Sequence, residues 1–263
     1  MLDGVETGYE GKFDFPGRAP ELAYLLATVP RTGSSFLSHV LWRTGCLGAP
    51  LEYLNFDKEG PYFFAHGAPD QQDWLWRSVL RRRTSPNGVF GIKCFPTQLE
   101  ALHQANPGLL KAIWSTLLPA GRPGRIVYLA RRDRTAHAIS YARATLSGIW
   151  RKEQEAGGRA EPDYSAEALA TAERWIDAQT AAWEEMFAQL RIAPLRLWYE
   201  EVAARPDEAV RQVADYLGVT LDPAAAVEIP AVEKQAEAGA RAWAERHKQG
   251  GQVAKATSPS GRG

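Results

Sequence analysis

Residues 29–37 (VPRTGSSFL) combine an arginine, a glycine and three hydroxyl side chains between an apolar run and a helical pattern. Backbone N–H groups at the start of a helix, together with hydroxyl and guanidinium donors, can converge on an anion. The segment therefore predicts a cradle for a phosphate-type group, built from Arg31, Thr32, Gly33, Ser34 and Ser35. An ordinary Ser/Thr-capped helix start would give the same local pattern, and it stays open here.

A metal ion is not implied by this cradle. The Gly-Lys-Ser/Thr run of a Walker motif is missing, so no hydroxyl stands beside a lysine to hold magnesium. The five histidines show no metal-ligand spacing. We therefore assign no metal.

A second cluster of anion-binding side chains follows the apolar run at 126–130. Arg131 and Arg132 stand where this predicted strand ends, and Ser140 lies on the helical pattern after it. A forked guanidinium and a hydroxyl would suit a second phosphate. The alternative is a solvated charge run at a strand end, which Arg134 would extend.

Short apolar runs and long helical patterns alternate along the chain, which predicts an α/β fold with a central parallel sheet flanked by helices. The predicted strands cover 22–29, 88–94, 125–130 and 194–199. The clearest later helical patterns are 166–189 and 208–217, and the spacing of Trp175 and Trp183 in the first of these places both in the core.

The domain prediction is a flexible N-terminal arm at 1–20, one catalytic domain at 21–246 and a disordered tail at 247–263. The arm and the tail are polar and rich in glycine and proline, so they offer little apolar surface to offset the entropy of ordering. The charged, glycine-containing stretch 151–162 predicts a lid over the site.

Composition restricts the partners and the compartment. The chain has 263 residues, of which 45% are hydrophobic, and 31 basic residues balance 31 acidic ones, so no global field favours nucleic acid. The first twenty residues lack the apolar run of a secretory signal, and no membrane span is expected. Cys46 and Cys94 fall in apolar stretches without CxxC spacing, which favours buried free thiols and a reducing cytoplasm.

Three segments in order resemble the sulfotransferase superfamily, which has a P-loop-like fold: residues 30–35 (PRTGSS), an arginine with a serine eight residues on, and 197–218 from LWYEEV to YLG. The resemblance implies that the first loop holds the 5'-phosphosulfate of 3'-phosphoadenosine 5'-phosphosulfate (PAPS). It also implies that Arg132 and Ser140 hold the 3'-phosphate.

Within the superfamily, residues 23–246 most resemble the bacterial trehalose 2-sulfotransferase family. The similar segments are 48–53 (GAPLEY), 87–93 (NGVFGIK), 140–144 (SYARA), 150–151 (WR) and the stretch from QAE at 235–237 to WAER at 243–246. An ungapped comparison with this group places Arg131 at the phosphate arginine, so Arg131 and Arg132 both remain candidates. The chain departs from the family at Ala49 and at 238–240, where the family has charged residues.

The resemblance implies in-line transfer of a sulfuryl group to a small, carbohydrate-like hydroxyl acceptor, with Glu52 as general base. Apolar neighbours at 51, 53 and 54 would favour a carboxylate that exchanges its proton near neutral pH. Arg31 would stabilise the sulfuryl oxygens, and Lys93 would be a second cation facing the site. By position, Phe95, Trp150 and Arg151 are candidates to contact a sugar.

Two other functions fit the same cradle. One is a nucleotide-dependent phosphotransferase, which the missing Walker lysine and the arginine–serine pair disfavour. The other is a catalytically degenerate nucleotide-binding protein, which the departures at Ala49 and Gly239 leave open. Whether the protein forms a homodimer is also open.

Overall fold

The computed structural model describes residues 8–58, 60–150, 161–230 and 237–257. Its central element is a four-stranded parallel sheet with the strand order β2-β1-β3-β4. The strands are β1 (Leu22–Thr28), β2 (Val89–Cys94), β3 (Ile126–Ala130) and β4 (Leu195–Trp198). All four predicted strands are confirmed to within a residue or two at each end, and so is the α/β class.

Helices connect and cover the strands. In the described part of the chain they are α1 (Ser34–Arg43), α2 (Pro69–Arg82), α3 (Pro96–Ala105), α4 (Pro107–Leu117), α5 (Arg134–Ser147), α6 (Ala166–Leu190), α7 (Tyr199–Ala204), α8 (Pro206–Leu217) and α9 (Glu237–Thr257). Short 3-10 turns lie at Gly11–Phe13, Phe63–Ala65 and Pro223–Ala225. Both helices predicted from periodicity, at 166–189 and 208–217, are present as α6 and α8.

Strands β1, β2 and β3 are buried on both faces over most of their length, as their near-continuous apolar sequences predict. On one face, strand residues pack against α1 and α8 in a core that includes Leu26, Val127, Leu37, Leu41 and Val213. Tyr128 packs against the second half of α6, with its ring centroid 5.3 Å from that of Phe187. The Phe187 ring in turn stacks on Trp183, with the centroids 5.8 Å apart.

The chain divides into two compact units. The first comprises Met1–Arg132 and Ala178–Val232 and contains the sheet; the second comprises Asp133–Asp177 and Glu233–Gly263. In the second unit α5 packs against α9. A groove of about 280 Å³ between α5 and the first part of α6 has mostly small and apolar walls and contains none of the predicted site residues.

The two tryptophans of α6 that were predicted to lie in the protein core differ in exposure. Trp183 is fully buried, and its indole N–H donates to the carbonyl of Thr28 at 2.7 Å. Trp175 is 45% exposed, so its predicted core position is wrong. Eight residues of helix rotate the side chain by about 80°, because each residue turns the helix by about 100°. Trp175 therefore packs beside Tyr141 in the second unit, with the ring centroids 5.9 Å apart.

Two terminal segments bear on the predicted domain boundaries, which remain predictions. Residues 8–20 include the 3-10 turn Gly11–Phe13 and the buried Phe15, and backbone 247–257 forms the end of α9. Most of the stretch predicted as a lid, residues 151–160, lies outside the described residues. Within the residues that are described, no helix is long and apolar enough to cross a membrane. Cys46 and Cys94 are both buried free thiols, as predicted.

Candidate active site

The carboxyl ends of all four strands meet at one edge of the sheet. The register pairs Ala27 with Cys94, Thr28 with Leu129, and Ala130 with Trp198. The segments that follow these strands therefore emerge side by side. In open α/β sheets, ligands bind at this edge, and the predicted side chains of the first unit are concentrated there.

The first loop turns sharply between β1 and α1. Arg31 and Gly33 have positive φ angles of 71° and 80°, a region that costs a non-glycine residue free energy and is common at functional sites. Gly33 is the N-cap of α1, which begins at Ser34. The first N–H groups of an α-helix have no partner within the helix, so this turn supplies N–H donors beside the positive end of the helix dipole.

Buried hydroxyl groups hold the loop in this shape. Thr32 is 1% exposed, and its hydroxyl donates to the carbonyl of Val29 at 2.9 Å and lies against the hydroxyl of Thr28. Thr28 in turn donates to the carbonyl of Leu129 at 3.1 Å, which ties the end of β1 to β3. Thr32 therefore positions the loop, and its side chain is occupied within the protein.

Tyr199, which the sequence did not single out, joins the first loop to the strand-end arginine. A Cβ atom at Gly33 would lie 2.2 Å from the Tyr199 ring, so only glycine fits there. The guanidinium of Arg131 lies over the same ring, 4.8 Å from its centroid. A donor from Arg131 also approaches the carbonyl of Arg31 at 3.4 Å. The ring thus holds Arg131 beside the loop.

Glu52 and Lys93 are brought together by a short parallel bridge. Leu51 pairs with Ile92 of β2, and the N–H of Lys93 donates to the carbonyl of Leu51 at 3.0 Å. The next residues of the two segments therefore lie side by side. Lys93 Nζ lies 2.8 Å from Glu52 Oε1, with the lysine side chain 2% and the glutamate side chain 13% exposed.

Lys93 also reaches the first loop. Its Nζ donates to Ser35 Oγ at 3.1 Å, so one ammonium group links Ser35 of the cradle to the Glu52 carboxylate. Because a hydroxyl that accepts a hydrogen bond keeps its own hydrogen for another acceptor, the exposed Ser35 can still donate to an anion. The sequence predicted both residues, but it did not predict this link.

Asn55 is a second polar neighbour of Glu52 that the sequence analysis missed. Its amide donates to Glu52 Oε2 at 3.3 Å, and its own carbonyl accepts the N–H of Asp57 at 3.3 Å. The second contact fixes which end of the amide faces Glu52. The sequence did contain a signal for this contact, because Asn55 stands three residues after Glu52 and asparagine side chains commonly make such local turns.

Two ionisable groups near Glu52, Cys94 and Tyr53, are poor acids. Burial raises the pKa of the Cys94 thiol, the Glu52 carboxylate adds to this effect, and Lys93 opposes it. Burial also raises the pKa of the Tyr53 hydroxyl, which donates to the carbonyl of Ala49. A neutral buried thiol is a weak nucleophile, so Cys94 is a structural residue here.

The two candidate arginines have different surroundings. Arg132 is 52% exposed, lies over the Trp198 ring and pairs with Glu201 at 2.6 Å. Arg131 faces the loop, and its Nε is buried without a hydrogen-bond partner among the described residues. A buried donor without a partner is costly and rare in native proteins.

The remaining predicted site residues are Phe95, Ser140, Trp150 and Arg151. Phe95 is the N-cap of α3, where its N–H donates to Gln98 Oε1 at 3.0 Å, so it follows Lys93 at the same strand end. Ser140 lies on α5, and Trp150 follows this helix with its ring 5.9 Å from Tyr141; both belong to the second unit. Arg151 lies outside the described residues.

One departure from the family pattern, Gly239, lies beside a flexible ion pair. A Cβ atom at Gly239 would lie 2.6 Å from the guanidinium of Arg143 and 2.4 Å from the carboxyl of Glu161. These two side chains form a bidentate ion pair, with N–O distances of 2.6 and 2.8 Å. The pair occupies the space that a side chain at 239 would need. Ala49, the other departure, is fully buried.

No group of three or more metal-ligating side chains is found within the ranges that the structure describes. The donors at this edge are the helix N–H groups, Ser35, Lys93 and Arg131, and the Glu52 carboxylate lies beside Lys93. Such a set can bind a phosphorylated or sulfated molecule and accept a proton next to it.

Comparison with known proteins gives two similar curated relatives. Trehalose 2-sulfotransferase of Mycolicibacterium smegmatis is 27% identical over 88% of this chain and 96% of the relative. Trehalose 2-sulfotransferase of Mycobacterium tuberculosis (strain Erdman) is 26% identical over 86% of this chain and 94% of the relative.

Two solved structures have weaker overall similarity. The sulfotransferase domain from the curacin biosynthetic pathway has a TM-score of 0.46 at 16% identity and covers 79% of this chain and 77% of its own. The sulfotransferase domain of the Synechococcus PCC 7002 olefin synthase has a TM-score of 0.45 at 14% identity and covers 88% of this chain and 96% of its own.

The model of one protein family matches most of the chain. It is described as Stf0 sulphotransferase, and the match runs over residues 23–250, which include the first loop, Glu52, Lys93 and both arginines. The resemblance predicted from the motifs is therefore confirmed, and the chain belongs to the Stf0 sulphotransferase family.

Proposed function

We propose that this protein transfers a sulfuryl group from PAPS to a hydroxyl of a small carbohydrate, with Glu52 as the general base. The observation that carries the proposal is the link made by Lys93. Its ammonium contacts Ser35 of the cradle at 3.1 Å and Glu52 at 2.8 Å. This arrangement sets a proton acceptor directly beside an anion site, as transfer from an anionic donor to a hydroxyl requires.

The described residues fit the donor. The start of α1, with Gly33, Ser34 and Ser35, offers N–H and hydroxyl groups to a 5'-phosphosulfate. Arg131, whose buried Nε lacks a partner among the described residues, offers a forked cation to a 3'-phosphate. Ser140 and Arg31 keep the donor-binding roles that the family resemblance implies.

The donor supplies an electrophilic sulfur and a phosphate leaving group. The acceptor oxygen forms a bond to sulfur while the bond between sulfur and the bridging phosphate oxygen breaks, and the hydroxyl proton passes to Glu52. Lys93 stabilises negative charge on the sulfuryl oxygens and on the carboxylate before transfer. Asn55 holds the carboxylate orientation through Oε2. Preorganised donors of this kind lower the barrier because they need little rearrangement.

The acceptor class rests on the relatives, which are both named for sulfation of trehalose. Phe95 at the end of β2 is a candidate to stack on a sugar ring, with Trp150 and Arg151 as further candidates by resemblance. Free buried thiols at Cys46 and Cys94 agree with a reducing cytoplasm as the proposed compartment.

The direct test is transfer of labelled sulfate from PAPS to trehalose, to a panel of sugars and to a small-molecule extract of the native host, with products identified by mass spectrometry. We expect a sulfated carbohydrate and a preference for PAPS over adenosine 5'-phosphosulfate. Phosphorylated products with ATP would instead establish a phosphotransferase. Tight donor binding without turnover on any hydroxyl would establish a degenerate nucleotide-binding protein.

A further inference from the structure

A buried arginine fastens the N-terminal segment to the first unit. The Arg83 side chain is 3% exposed, and its guanidinium donates to the carbonyls of Gly8 at 3.0 Å, Glu10 at 3.2 Å and Phe13 at 3.4 Å. Its Nε lies 3.1 Å from Asp14 Oδ1. One side chain thus binds residues 8–14, which we call the N-terminal strap, at four points.

The strap is held in place by these contacts because a buried guanidinium strongly favours full pairing. Loss of its partners would leave a charge inside the protein, which is costly. Arg83 also lies over the Trp42 ring, 5.5 Å from its centroid, and Phe15 after the strap is 7% exposed. The strap is therefore part of the packed first unit in this structure.

Tyr9 connects the strap to the base. The backbone N–H of Glu52 donates to the Tyr9 hydroxyl at 3.3 Å. The Tyr9 ring meets the Tyr62 ring edge to face at 5.5 Å, which orients the hydroxyl. Leu51, the residue before Glu52, is fixed to β2 by the bridge with Ile92.

We infer that the N-terminal strap is a positioning element for Glu52, in which Arg83 holds the strap and Tyr9 holds the backbone of the base. This inference rests on the proposed function of Glu52. The strap precedes residue 23, where the family match begins, so it is a feature of this chain outside the matched residues. Its role is to keep the carboxylate at Lys93 while the acceptor binds.

The first test is structural and needs no activity. Tyr9→Phe removes the acceptor of the Glu52 N–H and keeps the ring, so exchange of this amide with solvent should become at least about twofold faster, since one neutral hydrogen bond contributes about 0.5–1.5 kcal/mol. Tyr164→Phe removes a hydroxyl in the second unit, near His247, and is the matched control. Unchanged exchange at Glu52 in Tyr9→Phe would overturn the inference.

The second test is a double-mutant cycle on sulfuryl transfer in the full chain. Tyr9→Phe should lower kcat about three- to tenfold with donor Kd unchanged, the range expected from one hydrogen bond. In a Glu52→Gln background it should cause no further loss, because Tyr9 acts only through the base. Thermal midpoints of all variants are measured alongside.

The possible results separate this inference from the proposed function. Suppose that Glu52→Gln alone strongly lowers turnover, which supports Glu52 as the base. Equal losses of turnover from Tyr9→Phe in both backgrounds, or no loss in either, would then overturn only the positioning role. Near-parent turnover in Glu52→Gln would overturn the base itself and, with it, the role of the strap. Tyr164→Phe should match the parent throughout.

Discussion

The surroundings of the first loop differ in hydrogen bonding between two places. We call them the base end, with Lys93 and Glu52, and the arginine end, with Arg131 and Tyr199. At the base end, Ser35, Lys93 and Glu52 form a continuous chain of contacts at 3.1 and 2.8 Å. At the arginine end, Tyr199 packs against Gly33 and under Arg131, but the Nε of Arg131 is buried without a partner in the described part of the chain. Both ends lie at the same edge of the sheet.

This difference indicates a division of labour. Groups already paired within the protein gain little when a ligand binds, but they keep the geometry that a reaction needs. A buried donor without a partner gains a full hydrogen bond when a ligand supplies one. Under the proposed function, we expect the base end to serve catalysis and the arginine end to serve donor affinity.

The largest effect should follow from replacing Lys93, the cation of the base end, and it should appear in the free energy of unfolding. Lys93→Met leaves the Glu52 carboxylate largely buried without its countercharge, and loss of one partner of a buried pair typically costs about 3 kcal/mol or more. We expect a loss of this size in the free energy of unfolding, measured by urea denaturation. A loss below about 1 kcal/mol would mean that solvent already compensates the carboxylate, as at surface pairs.

The matched control is the double variant Lys93→Met, Glu52→Gln. It removes the orphaned charge, so its stability should lie closer to the parent than that of Lys93→Met alone. Additive losses from the two substitutions would contradict a direct interaction between these side chains.

The next effect is on chemistry at the same end. Glu52→Gln keeps size and hydrogen-bonding reach but removes basicity, so turnover should fall about a hundredfold or more, the range of general-base contributions. Donor affinity should barely change, because the donor contacts lie in the loop. The parent rate should also fall on the acid side, since the carboxylate must be ionised to accept a proton, and this limb should vanish in the variant.

Two results would argue against this role. Near-parent turnover would leave Glu52 with a structural or acceptor-orienting function. Parallel losses of donor binding and turnover would indicate a folding defect, which a thermal midpoint measured for each variant would reveal.

The contrast between the two ends also explains what the sequence could predict. Apolar runs and the PRTGSS segment are local patterns, so the strands and the loop could be predicted from them, whereas the candidates Glu52 and Lys93 came from the family resemblance. The contact of Gly33 with Tyr199 joins residues far apart in the chain, and no local pattern predicts it. The same holds for Tyr9 and Glu52.

Side-chain direction was the other limit. The apolar neighbours of Glu52, Leu51, Tyr53 and Leu54, are buried as expected, but the carboxylate itself faces Lys93 and Asn55. Likewise, Arg131 and Arg132 both follow β3, but Arg131 contacts Tyr199 whereas Arg132 contacts Trp198 and Glu201. The choice between them depends on what each side chain contacts, which only the three-dimensional structure can supply.

The smallest effect, and the sharpest comparison, is between these two arginines. Arg131→Ala removes the buried donor and should weaken binding of adenosine 3',5'-bisphosphate at least about tenfold, since a charged hydrogen bond contributes about 1.5–3 kcal/mol. Binding of adenosine 5'-monophosphate, which lacks the 3'-phosphate, should change much less. Titration calorimetry with both nucleotides measures the difference directly.

Arg132→Ala is the matched variant, because it removes the same side chain one residue further on. Arg132 is 52% exposed and already paired with Glu201, and exposed charge contacts contribute about 0–1 kcal/mol, so the affinity for adenosine 3',5'-bisphosphate should change less than about fivefold. The reverse order of the two effects would place the 3'-phosphate at Arg132. A double variant that binds this nucleotide as tightly as the parent would show that neither arginine contributes to the donor site.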